Sequence, residues 1–84
     1  NNINELNIYP NPVSNTAVLE VQLPNQTFQN QVNYTIQNLN GQTVQSGKLS
    51  HDGQVQMENL AQGMYLLLVQ QESLVGASYF MVVE

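Results

Sequence analysis

Eighty-four residues make one small domain, which buries only roughly 60–65% of the surface its unfolded chain exposes and so has a thin stability margin. One basic residue, Lys48, stands against Glu5, Glu20, Asp52, Glu58, Glu72 and Glu84, for a formal net charge of −5; this excludes nucleic-acid binding and adhesion to an anionic membrane, which need Lys and Arg to replace counterions. There is no cysteine to form a disulfide or a thiolate metal site, and no apolar run reaches the roughly 18 residues of a membrane-spanning helix.

Asn1 to Glu5 is polar, lies outside the first strand and reads as the end of an upstream linker. No leader and no starting Met are in view, so the sequence is expected to be the last part of a longer protein. From Leu6 a compact domain, residues 6–84, begins. Leu6 and Ile8 share one strand face, and Tyr9 starts the exit. Pro10 and Pro12 then fix φ and push Tyr9 and Asn11 towards extended geometry, while Asn11 can hydrogen-bond the backbone locally. Tyr9-Pro10-Asn11-Pro12 is expected to be a stiff structural corner, with receptor contact as the other reading.

Beyond the corner the periodicity is two, not 3.6. Ala17, Leu19, Val21 and Leu23 share one face of a strand over 16–23. Asn25 to Asn30 is a polar connection anchored by Phe28. Val32, Tyr34 and Ile36 alternate with Asn33, Thr35 and Gln37, and Val55 and Met57 alternate with Gln54, Gln56 and Glu58. These are half-buried strands, one face on a core and one in water. Asn40-Gly41 and Asp52-Gly53 accept positive φ at little cost, so each is expected to close a tight hairpin. Pro10, Pro12 and Pro24 cannot donate to a ladder and belong at strand ends.

Further on, Leu60 plugs the core before a turn. Gly63 there supplies a backbone angle closed to other residues, and Tyr65 is placed to tie the corner with its hydroxyl. Met64 to Val69 is apolar on both faces, as is Tyr79 to Val83. Such runs suit central strands covered on both sides, which is the expectation, or strands whose outer face meets a partner. A loop around Val75-Gly76-Ala77 is expected to join these last two strands, and the closing run Phe80-Met81-Val82-Val83-Glu84 to be woven into the fold. The whole reads as an all-β, Ig-like antiparallel β-sandwich of about seven strands.

Catalytic chemistry has little to stand on. Ser50-His51-Asp52 brings the triad residue types together, but neighbours on an extended chain point to opposite faces, and the segment runs into a glycine turn. A single histidine with scattered acids gives no metal-ligand pattern, and the five glycines form no phosphate cradle. No enzyme activity and no cofactor are expected. Tyr9, Phe28, Tyr34, Tyr65, Tyr79 and Phe80 read chiefly as packing residues, with a sugar-stacking face as the alternative.

The order and spacing of these motifs resemble the C-terminal sorting domain, type A, of proteins exported by the type IX (Por) secretion system of Bacteroidetes-type bacteria. The resemblance runs from Leu6 to Glu84. By resemblance, Tyr9, Pro10, Asn11 and Pro12 occupy the opening motif, Asn40 and Gly41 the Asn-Gly turn, Gly63 and Tyr65 the Gly-x-Tyr element, and Phe80, Met81, Val82, Val83 and Glu84 the closing strand. It implies an Ig-like sandwich that follows a cargo domain in the same chain. It also implies recognition by an outer-membrane translocon, removal by a sortase-like peptidase or cell-surface attachment, and a secreted or surface location reached through the periplasm and outer membrane. One departure is plain: where family members often carry a lysine before the last strand and another basic residue near the end, this chain has Ser78 and Glu84. A mechanism that reads backbone and apolar side chains, such as strand addition at a sheet edge, survives that loss. A free edge on so charge-poor a chain also suits an edge-strand homodimer. The competing reading is a carbohydrate-binding or adhesive Ig-like module, for which aromatic side chains aligned on a solvent-facing sheet are the requirement.

Overall fold

The computed structural model describes residues 4–5, 7–22, 32–49, 52–71 and 73–84. Their strands are β1 (Asn4–Glu5), β2 (Asn7–Tyr9), β3 (Val13–Ser14), β4 (Val18–Gln22), β5 (Asn33–Asn38), β6 (Thr43–Lys48), β7 (Gln54–Gln56), β8 (Gly63–Gln71) and β9 (Ser73–Val83). There is no helix among the described residues. One sheet runs β1-β9-β8-β5-β6, with β3 also on β9, and the other runs β2-β4-β7. The two form a sandwich, as expected.

The alternation read from the sequence places the core between the sheets. Leu19 and Val21 from β4 and Val55 from β7 meet Tyr34 and Ile36 from β5, Leu67 and Val69 from β8, and Phe80 and Val82 from β9. Ile8, Ala17 and Leu60 pack against this cluster at its margin. Burying Leu19, Ile36, Leu67, Val69, Phe80 and Val82 completely contributes about 1.5–3 kcal/mol for each side chain.

Several boundaries differ from the sequence reading. Asn4–Glu5, read there as lying outside the first strand, pairs parallel with Gly76 and Ala77 as β1. The next residues join the opposite sheet as β2, antiparallel to β4. After the proline corner, β3 returns to pair parallel with Val82 and Val83. The expected first strand survives as β2, and β1 from the expected linker and β3 after the corner raise the number of strands above seven.

The expected loop at Val75-Gly76-Ala77 is strand. The ladder pairs Gln71 with Ser73, so the connection is tight, and a register shift after Val69 absorbs the extra residue. Gly76 lies between Val69 of β8 and Asn4 of β1 and is buried. A glycine inside a strand marks such a bulge and close backbone approach. Asp52-Gly53 does not close a hairpin either: it leads from β6 in one sheet to β7 in the other, with Gly53 at φ +75° and its carbonyl accepting the Val21 N–H. The expectations for Leu6, Leu23, Pro24, Asn25 to Asn30 with Phe28, Ser50 and His51 lie outside the described residues.

Candidate docking surface

β8 is central in its sheet, yet its outward face is not covered by another layer among the described residues. Leu66 and Leu68 are half-buried there and Met64 is 37% exposed, so the described residues do not supply the expected cover on both sides. Register places Met81 opposite Met64, Tyr79 opposite Leu66 and Ala77 opposite Leu68. On the other flank, Gln37 and Thr35 of β5 stand opposite Leu66 and Leu68. The result is an uncharged apolar stripe along the β8–β9 ribbon, bordered by polar residues of β5. Side chains on one face of paired strands are neighbours, so the stripe is continuous.

The four motifs singled out in the sequence gather at one end of the larger sheet. Asn38, Tyr65 and Phe80 stand in register across β5, β8 and β9. Asn38 builds the Asn40-Gly41 turn: its Oδ1 accepts the N–H groups of Asn40 and Gln42 at 2.9 and 3.0 Å, and its Nδ2 donates to Gln42 Oε1. Gly41, at φ +86°, donates its N–H to the Asn38 carbonyl. The turn spans residues 38–41 with only the glycine at positive φ, and it closes the β5–β6 hairpin as expected, through Asn38 N–H on the Gln42 carbonyl.

Gly63 opens β8 at φ +154° with open space where a Cβ would stand, so the backbone angle and not crowding selects glycine. The Tyr65 hydroxyl donates to the Ala61 carbonyl at 2.6 Å, the expected corner tie. Its ring stacks on Phe80 with centroids 5.9 Å apart.

The opening motif reaches the same place from the other side. β1 covers the edge of β9 at Gly76 and Ala77, and β3 covers it at Val82 and Val83. Between them the Asn11 side chain fills the gap: its Oδ1 accepts the Met81 N–H at 3.0 Å and its Nδ2 reaches the Tyr79 carbonyl at 3.5 Å. A parallel strand would use one peptide C=O and one N–H in the same way on either side of Phe80. A primary amide is that functional group on a side chain. Tyr9–Pro10 and Asn11–Pro12 are both cis. Of the remaining motif residues, Phe80 and Val82 are wholly buried, Met81 and Val83 half-buried on the outward side, and Glu84 exposed.

Two contributors were not read from the sequence. Gln45 on β6 is 5% exposed and joins the sheets: its Nε2 donates to Tyr34 Oη and to the Gln56 carbonyl, and its Oε1 accepts the Glu58 N–H. No signal marks it, because a glutamine in an alternating strand looks like any solvated one. Asn38 had a signal in Asn38-x-Asn40-Gly41, the spacing of an Asx turn.

Tyr9 and Tyr79 are 47% and 57% exposed, contrary to a packing role. They lie on β2 and β9, in different sheets, each turned away from the core by its buried or half-buried neighbour, Ile8 or Phe80. The aligned aromatic face that sugar binding requires is therefore not formed by the described residues. No three of the described His, Asp and Glu residues come together as a metal group.

The family model described as the secretion system C-terminal sorting domain matches residues 7–83. No curated protein matches the chain.

Proposed function

This chain belongs to the type IX secretion-system C-terminal sorting domain family, and from that membership we propose that it presents the outward face of its last two strands to the export machinery. Domains of the family are sorting signals, generally non-catalytic, that act with the secretion machinery on an upstream cargo for delivery to the cell surface or beyond. The observation that carries the finer reading is the uncovered stripe of Met64, Leu66, Leu68, Tyr79 and Met81. An apolar sheet face of this kind marks a protein interaction site. The receptor reads shape and apolar surface there, since neither Ser78 nor Glu84 supplies the basic charge common in the family.

The outer-membrane translocon is the partner of this face, and a sortase-like peptidase releases the domain or passes the cargo to a surface anchor. Processing takes place in the linker that precedes β1. The test fuses residues 1–84 behind an export leader and a fluorescent cargo in a host that has the system. Cargo reaches the surface with the native domain and stays periplasmic when Phe80 to Glu84 are removed; equal export of the two refutes the reading. Terminal sequencing of released domain finds a cut upstream of Asn4, whereas a cut within β4 contradicts the assignment of the linker.

A further inference from the structure

The larger sheet has two edges of different character. At β6 no described strand pairs with the outer edge: Thr43, Val44, Ser46, Gly47 and Lys48 are exposed, but Lys48 and the register shift opposite Gln37 are devices that discourage pairing there. At β9 the edge is closed by the chain's own residues, and the closure is slight over its second half. β3 contributes two residues, Pro10 and Pro12 have no N–H to donate, and one side-chain amide spans the interval from Tyr79 to Met81. Both ends of this short strap are fixed independently. β2 holds its start on β4. The turn that follows is pinned away from β9 by Asn59 N–H on the Asn15 carbonyl and Met57 N–H on the Ala17 carbonyl, whereas Asn15 N–H on the Val83 carbonyl belongs to the strap and breaks with it. Pro10 to Ser14 can therefore lift away while both anchors stay in place.

We propose that the β9 edge from Ser78 to Val83 is a strand-addition surface gated by Pro10–Ser14, with the Asn11 amide as its latch. The partner it fits is an extended backbone segment of the export machinery. Such a segment supplies peptide groups where the Asn11 amide stands, and an apolar side chain, best β-branched, where Val13 now fills a fully buried site. Main-chain pairing gives the affinity and the Val13 site the selectivity. The identity of that partner rests on the sorting role; the gate itself rests on pairing alone. Lifting the strap uncovers Val13, so the closed form dominates until a partner strand replaces it.

Two measurements on the full chain test this. In native-state hydrogen exchange, Met81 and Asn15 N–H exchange at a common rate, on the order of tenfold faster than Ile36 and with little response to low denaturant, as a local opening requires. If Met81 exchanges fast alone, only the amide flickers; if all three exchange together, the strap opens only with the whole molecule. Either result overturns the gate. The second measurement uses Ser14→Cys with Val83→Cys, parallel partners in a chain that has no other cysteine. The oxidised pair slows the Met81 and Asn15 amides to the Ile36 rate and lowers export of fused cargo relative to the same protein with the pair reduced. Export of the oxidised form at the native level refutes strand addition at this edge. If the native fusion itself is not exported, the sorting role fails, and the exchange rates judge the gate by themselves.

Discussion

The Tyr65 hydroxyl and ring do separate work, one tying the Ala61 carbonyl and the other stacking on Phe80, so removing the hydroxyl isolates the tie. Tyr65→Phe is expected to cost about 1 kcal/mol, seen as a melting temperature lower by about 4–8 °C in a domain of this size. Gln45 carries more, because three groups depend on it. Gln45→Ala leaves Tyr34 Oη, the Gln56 carbonyl and the Glu58 N–H without that partner. A loss of about 1–3 kcal/mol in urea unfolding is expected, and a loss below that of Tyr65→Phe would contradict the cross-sheet role. Gly63 and Tyr65 were legible in the sequence because a turn imposes a backbone angle and a hydroxyl geometry on particular residue types. Gln45 was not: its importance comes from a partner sheet, and no local pattern announces that. Asn11 stands between. Its locality was readable, but its partners lie some seventy positions away, at |i−j| of 68 and 70.

Among the strands, β8 separates packing from presentation within a few residues. Leu67 is wholly buried and Leu66 half-buried on the opposite face. Leu67→Ala should cost about 2–5 kcal/mol through the cavity it leaves. Leu66→Ala should cost about 1 kcal/mol or less, the transfer of a partly wetted side chain. Equal costs in chemical denaturation would mean that the outer face is covered after all. The strands with one wet face were legible because alternation states which side is buried. A run such as Met64 to Val69 is apolar either way, and its pattern is the same whether a second layer or a partner covers it. The turn before β9 was misread for a related reason. Glycine inside Val75-Gly76-Ala77 resembles a loop signal, and only the pairing with β1 and β8 places it in a strand.

At the scale of the molecule, β9 organises everything. Its first half lies beside β1 and its second beside β3, with register points Gly76 and Val82 about 20 Å apart at strand rise. The start of β1 therefore lies at the pole of the β8–β9 turn, and the Asn40-Gly41 turn, Tyr65, Phe80 and the proline corner gather toward the opposite pole of a body 33 Å in its longest extent. The start of β1 and this second pole face away from one another, so a domain joined ahead of Asn4 leaves the second pole and the apolar stripe accessible. The most direct measurement of this account is the export of fused cargo by a Leu66→Gln, Tyr79→Gln variant, beside a Val18→Gln control on the outer face of the smaller sheet. All three domains are first confirmed folded by circular dichroism and a urea midpoint close to native. The account predicts that native and control domains deliver cargo to the surface and that the stripe variant leaves it in the periplasm; delivery by the folded stripe variant at the native level would contradict it.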